Sequence, residues 1–262
     1  MTAHWGGGAR ACNLAHATMR AMLSFILPAH DEARLLPQTL AVLKTAASEL
    51  AIAHEIIVVD DASTDATAAL AHAAGVQVLP IQARHIAAAR NAGAAHARGT
   101  HLCFIDADTH VDAAILRAAL QAMEDGAAGG GARVRLQGPV AWHARLGEPL
   151  LGGLLRLARI APGCFLFCTR QAFEQVGGFD ARLYAGEDVV ISRALARQGR
   201  FVLLRGVVWT SPRKLQTFSV WEHVKLLLAL ARHGRGLLHS RERLDFWYGA
   251  RRGHEAGKRP PG

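Results

Sequence analysis

The 262-residue chain is 51% hydrophobic and 19% charged with a formal net charge of +9, a balance that excludes disorder and supplies the core of one large α/β domain, with or without an appendage. The excess charge is concentrated at one end: from Arg232 onward there are eight Arg/Lys against three Asp/Glu, which points to an anionic membrane surface or nucleotide phosphates, and no reader motif supports nucleic acid as a partner. Cys12, Cys103, Cys164 and Cys168 form no C-x-x-C and no paired His spacing, so reduced thiols in a cytoplasmic protein are expected and zinc is not.

Residues 1–21 carry a glycine triplet and no sustained apolar run. They do not read as a secretory signal; Met19 and Met22 offer alternative starts, and a poorly ordered extension is expected. Residues 23–27 (L-S-F-I-L) read as the first strand, closed by Pro28-Ala29-His30-Asp31-Glu32. Helical spacing follows over 37–50. A second strand, 55–59 (E-I-I-V-V), ends in Asp60-Asp61-Ala62-Ser63-Thr64-Asp65. A helix over 66–74 stops at Gly75, a third strand runs over 76–81, and an Ala-rich helix over 85–98 stops at Gly99. Residues 102–105 form the next strand. Strands alternating with helices at this spacing predict a mostly parallel sheet with right-handed crossovers, flanked by helices.

The strand over 102–105 ends abruptly in Asp106-Ala107-Asp108. Two carboxylates cannot be buried with a strand unless something pairs them. Their natural place is the carboxyl end of a parallel strand, where open α/β sheets bind ligands. Two hard oxygen ligands one residue apart suit Mn2+ or Mg2+ held jointly with a substrate diphosphate. An isolated D-x-D also fits a solvated loop whose Asp caps the next helix, but Asp112 is available as that cap.

A helix over 112–123 is followed by glycines within 126–131, which read as a loop, and by a short strand over 133–136. The Leu-rich stretch within 142–160 is interrupted by Gly152-Gly153, Arg156 and Arg159 and falls short of the roughly 20 apolar residues a membrane span needs. A short strand over 164–168, a turn at Gly177-Gly178, a helix over 189–198 and a strand over 201–208 complete the domain. Residues 218–232 predict a helix apolar nearly all round, which either packs on the domain or docks through a basic collar on an anionic membrane surface; the basic tail over 251–262 is expected to be disordered. The first strand is followed by P-A-H-D-E rather than G-x-G-x-x-G, and no Walker A loop is present, so dinucleotide binding is not expected.

Three acid clusters sit at element ends: Asp60/Asp61/Asp65, Asp106/Asp108 and Glu187/Asp188. Helix capping explains any one of them and poorly explains three. With I-L-P-A-H-D-E, V-V-D-D-A-S-T-D, A-A-R-N-A-G, F-I-D-A-D, V-G-G-F-D and A-G-E-D-V-V-I-S in this order, residues 23–214 resemble family 2 glycosyltransferases of the α/β GT-A (nucleotide-diphospho-sugar transferase) fold. The resemblance implies a domain over 22–214, with a nucleotide-binding half to residue 110 and an acceptor half beyond it. It implies that Pro28, His30 and one of Asp60 or Asp61 line the nucleoside pocket. Arg90 approaches the diphosphate while Asn91 and Gly93 shape its helix. Asp106 lies near the ribose and the metal, Asp108 holds the metal, and Asp188, or else Glu187, is the catalytic base.

The implied reaction is metal-dependent, inverting transfer of a sugar from a UDP- or GDP-linked donor to a hydroxyl acceptor. The Q-x-x-R-W motif of processive relatives is missing, S-P-R-K-L standing near its place, and this favours single addition; docking of the helix over 218–232 would put a lipid-linked acceptor, or one close to the inner face of the membrane, within reach. Two alternatives stay open. A sugar-1-phosphate nucleotidyltransferase would need a Gly-rich basic loop after the first strand; a non-catalytic nucleotide-sugar-binding protein would tolerate a degenerate site.

Overall fold

The computed structural model describes residues 22–138, 153 and 160–212. The expectations for residues 1–21, for the Leu-rich stretch within 142–159 and for the apolar helix and basic tail after residue 212 lie outside the described residues. The first strand, β1, is Met22–Ala29, and helix α1 is Leu36–Ser48. Then come β2 (Ala53–Asp61), α2 (Thr67–Ala73), β3 (Gln77–Ile81), α3 (Ile86–His96) and β4 (His101–Ile105). The remaining elements are β5 (Thr109–His110), α4 (Ala113–Glu124), β6 (Ala127–Leu136), β7 (Phe165–Thr169), α5 (Arg170–Val176), α6 (Glu187–Gln198) and β8 (Arg200–Thr210).

These strands form one sheet in the order β3-β2-β1-β4-β7-β6-β8-β5. The β3-β2-β1-β4 half is parallel throughout. β7 runs antiparallel to both β4 and β6, β8 is parallel to β6, and β5 is antiparallel to β8. The reversal at β7 leaves β6 and β8 running in the direction of β1, so the carboxyl ends of β1, β2, β4, β6 and β8 share one edge, with β5 reversed beyond them.

Alternation along the strands builds two cores. Leu23, Phe25 and Leu27 of β1, with Cys103 and Ile105 of β4, face α1, α2 and α4. Ile26, Ile57, Val59, Leu102 and Phe104 face the other way, against α3, α5 and α6. Period-two patterning with apolar residues at every position is what a strand covered on both faces requires.

Two segments differ from the sequence reading. The glycines within 126–131 are no loop: Gly129, Gly130 and Gly131 lie inside β6, paired with β7 and β8. A Cβ on Gly130 would lie 2.5 Å from the Phe167 ring and closer still to the Val202 carbonyl. Glycine is there because the neighbours close in, a packing cause that turn propensity does not show. The short helix α5 and the two-residue strand β5 are also additions. Asp112 caps α4, its carboxylate accepting from the Ile115 amide at 2.8 Å, as its position implied.

Candidate active site

The edge shared by the strand ends carries backbone strain. Asp31, Ala62 and Arg84 are the non-glycine residues with positive φ among those described, at 51°, 56° and 48°. They follow β1, β2 and β3 respectively, at the same edge. Each such conformation costs about 1 kcal/mol or more, and such strain persists only where its surroundings enforce it. The enforcement is visible. The Asp31 carboxylate accepts from the Thr64 amide (2.7 Å), the Asp31 amide donates to the Ser63 hydroxyl (3.0 Å), and Glu32 and Ala33 donate to Thr67 and Asp65. His30 donates from Nδ1 to the Asp61 carbonyl at 2.7 Å, the only sense open to a carbonyl partner. The loops after β1 and β2 are thus laced together.

Asp60 and Asp61 part ways here. Asp61 accepts three backbone N–H groups, from Ala83, Arg84 and His85, at 2.6–2.7 Å, so its carboxylate is spent on holding the loop that launches α3. Asp60 is buried at the carboxyl end of β2, and its Oδ1 has no hydrogen-bond donor among the described residues. A buried carboxylate oxygen in that state is an acceptor in want of a donor. Pro28 lies beside Val59 in the parallel register, one residue before the Ala29–Asp60 pair.

Arg90 on α3 is only 1% exposed. Its Nη1 donates to Glu187 at 2.9 Å, and its Nη2 donates to Asp106 at 2.8 Å and to the Gly163 carbonyl at 2.7 Å. Its guanidinium also lies 5.2 Å from the Phe179 ring centroid. Burial alone would favour losing its proton; the Asp106 and Glu187 charges more than reverse this and raise its pKa. Arg90 therefore stands between the D-A-D turn and the start of α6, with its Nη1 and Nη2 donors aimed at protein groups.

Asp188 follows Glu187 in the first turn of α6, after Gly186 in the left-handed conformation (φ 76°). Burial first, and then the adjoining Glu187 charge, push its carboxyl up to about 6, against the pull of Arg90 and of the Val189 and Gly163 amides. Glu187 is committed to Arg90; Asp188 is the carboxylate of the pair with no lysine or arginine ion partner within 4 Å among the described residues. Asp108 is largely buried, and its Oδ1 accepts from the Thr210 hydroxyl at the end of β8 (3.2 Å).

Asn91 and Gly93 complete α3. The Asn91 side chain donates to the Phe179 carbonyl (2.8 Å) and accepts from the Phe179 amide (2.9 Å). A Cβ on Gly93 would overlap Ile26 and Val59, so glycine sets how closely α3 sits on β1 and β2. One helix thereby gathers residues from five separated motifs. Sequence reasoning missed Gly163 and Thr210, which carry no chemistry by type and are placed only by the fold.

Among the described residues no group of three His, Cys, Asp or Glu is arranged to hold a metal ion. Asp106 and Asp108 still fit a divalent cation shared with phosphates, because Mg2+ and its kin are commonly held by one or two carboxylates, the rest of the shell coming from water and phosphate oxygen.

A doubly wound α/β sheet whose strained carboxyl edge gathers two groups of carboxylates around a buried arginine has the layout of a nucleotide-binding enzyme of the open-sheet class. The family model for glycosyl transferase family 2 matches residues 24–178, more than half of the chain, and the chain belongs to that family. Solved structures with the same fold include a mannosyltransferase, PcManGT, from Pyrobaculum calidifontis in complex with GDP-Man and Mn2+. It is 21% identical with a TM-score of 0.61, over 80% of this chain and 65% of that one. TarS 1–349 of S. aureus in complex with UDP-GlcNAc is 17% identical (TM-score 0.56; 72% and 58% covered). The mannosyl-3-phosphoglycerate synthase of Rubrobacter xylanophilus is 18% identical (TM-score 0.57; 83% and 74%). The fold is the GT-A fold that the sequence resemblance implied. The chain spans less than two thirds of the length of the first two. No curated protein matches it in sequence.

Proposed function

We propose that this chain transfers a sugar, with inversion, from a nucleotide-diphosphate sugar to a hydroxyl acceptor, one sugar at a time. The observation that carries this reading is the Arg90 bridge, 2.8 Å to Asp106 and 2.9 Å to Glu187. It ties the D-A-D turn, where a diphosphate and its metal would lie, to the helix that begins with Glu187 and Asp188. Asp188 is the base. Its carboxyl, held near 6, is mostly ionised at neutral pH yet close enough to it to accept a hydroxyl proton efficiently. The chain's other carboxylates near the donor are bonded to protein groups, placed at the metal or, in Asp60, given to the nucleoside, so no second one serves as a nucleophile and one in-line displacement inverts the centre.

Asp60 supplies its open oxygen to the nucleoside, beside Pro28 and His30. Asp108, with Asp106 next to it, would hold Mn2+ or Mg2+, which supplies charge to offset the departing diphosphate. Arg90 adds positive charge from behind rather than as a direct phosphate ligand. PcManGT is complexed with Mn2+ and GDP-Man, and TarS with UDP-GlcNAc, which supports donors of the UDP or GDP class without choosing between them. The net positive charge after Arg232 supports an acceptor at an anionic membrane surface, each basic residue near such a surface adding about 1 kcal/mol.

A thermal-shift panel of UDP- and GDP-sugars with and without Mn2+, followed by assay of nucleoside diphosphate release, tests the reading. Metal-dependent stabilisation by one donor class and slow release in water are the expected outcome. Stabilisation by nucleoside triphosphate and sugar phosphate instead, with pyrophosphate release, would establish the nucleotidyltransferase alternative.

A further inference from the structure

The run of residues 160–164 leads into β7 and carries none of the motifs behind the family resemblance, yet its backbone reaches three parts of the site. The Ala161 amide donates to the Ser192 hydroxyl on α6 at 3.1 Å, and Ser192 is fully buried. The Gly163 carbonyl accepts from Arg90 on α3 at 2.7 Å. The Cys164 carbonyl accepts from the Asp106 amide at the end of β4 at 3.1 Å, and the Pro162 carbonyl accepts from Phe165, folding the run into a turn. The Gly163 amide faces the Asp188 carboxylate and favours its charged form.

Gly163 is not among the glycines with positive φ, so backbone freedom is not what the position needs. Space is. A Cβ there would lie 3.0 Å from Asp188 Oδ2, 3.2 Å from its Cβ and 3.3 Å from its Cγ. One residue therefore presents its amide to Asp188 and its carbonyl to Arg90, with no side chain of its own between them and the carboxylate.

We infer that residues 161–164 are the positioning strap of the base, with Gly163 its critical residue. The inference rests on the reading of Asp188 as base and adds what fixes that carboxylate in place. Gly163 touches no substrate; it acts through Asp188, by holding the carboxylate against the α3–α6 bridge. An alanine at 163 must shift either the strap or Asp188 by a few tenths of an ångström. Reaction rates fall steeply when a reacting group is misplaced on the ångström scale, by about 10²-fold for 1 Å.

The test uses the full chain, Mn2+ and the nucleotide sugar that the donor panel selects, with water as acceptor and nucleoside diphosphate release as the signal. Gly163→Ala should lower kcat at pH 7 by roughly threefold to tenfold while the donor KM stays within about twofold. Its acid limb should move above the wild-type position, because displacing the amide removes a group that favours the charged carboxylate. Ser192→Ala, which loosens the strap away from the carboxylate, should shift the limb the same way by less. Wild-type kcat and limb in Gly163→Ala would overturn the inference, as would a kcat loss matched by a rise in KM with the limb unmoved. If Gly163→Ala does not fold, an unshifted limb and unchanged kcat in Ser192→Ala overturn it instead. Activity in the wild type, loss in Asp188→Asn and none of these changes would sink the strap alone; no release by the wild type from any donor would overturn the transferase reading and the strap with it.

Discussion

Replacing Arg90 by lysine keeps a positive charge and loses the arrangement, since one ammonium cannot span Asp106, Glu187 and the Gly163 carbonyl as the planar fork does. Breaking a buried pair leaves an uncompensated charge and costs about 3–5 kcal/mol. Arg90→Lys should therefore lower the unfolding free energy by that order in a urea titration and remove most turnover. Asp108→Ala should behave differently. Asp108 stands at the strand end, bonded to Thr210 rather than to the core, so the fold should survive while Mn2+-dependent nucleotide affinity is lost; undiminished affinity in calorimetry would refute its metal role. Arg90, Asp106, Asp108, Glu187 and Asp188 were all legible as motif residues. The direction of Arg90 was not, because a motif records that an arginine is required and not whether it faces a phosphate or two carboxylates. The split between Asp60 and Asp61 was equally hidden, since it depends on which side of β2 meets the loop before α3.

At the scale of elements, α3 is the piece on which the others register. Asn91 holds the turn that contains Phe179, and Phe179 packs edge-on to Phe104 at 5.0 Å between ring centroids. Asn91→Ala leaves a buried amide and carbonyl without partners and should cost about 1–3 kcal/mol. Gly93→Ala should cost a similar 1–3 kcal/mol by overpacking, since its Cβ would overlap Ile26 and Val59. Measured unfolding free energies within a few tenths of wild type for both variants would contradict the keystone role given to α3. The alternation of apolar strands and Ala- or Leu-spaced helices made β1 to α4, β5 apart, readable to within a few residues, because β1, β4 and most of β2 are buried on both faces. β6 was not readable. Its glycines answer to Phe167 and Val202, which approach from other strands, and a local pattern holds no trace of them.

For the whole molecule, two carboxylates of opposite habit pull the dependence of stability on pH in opposite directions. Glu55, at the join of β1, β2 and the end of α3, is buried, which alone would raise its pKa; the Arg98 amide, Ser24, Gln77 and the Arg98 side chain reverse this and bring it down from 4.5 to about 2. Its folded value lies below its unfolded one, so its contribution is full above 4.5 and is lost as pH falls from there to about 2. Asp188 runs the other way, from 3.8 up to about 6. The folded protein holds that proton more tightly, so the associated stability is present below 3.8 and disappears as pH rises to about 6. Unfolding free energies measured across pH should show Glu55→Gln flattening the lower window and Asp188→Asn the upper one. Sedimentation with anionic liposomes should carry the chain down at low salt and release it at high salt; recovery in the supernatant under both conditions would remove the membrane from the proposal. On the proposed reading of Asp188 as the base, its raised carboxyl also joins stability to chemistry, since a base kept near 6 is costly to the fold at neutral pH and useful to catalysis there. The most direct measurement is the pH profile of nucleoside diphosphate release from the selected donor, in the wild type and in Asp188→Asn. The wild-type rate should rise through an apparent pKa near 6, and the variant should be slower by about 10²–10⁴-fold with the limb gone and donor affinity kept. Near-normal turnover in Asp188→Asn, with the limb still in place, would contradict the assignment of the base.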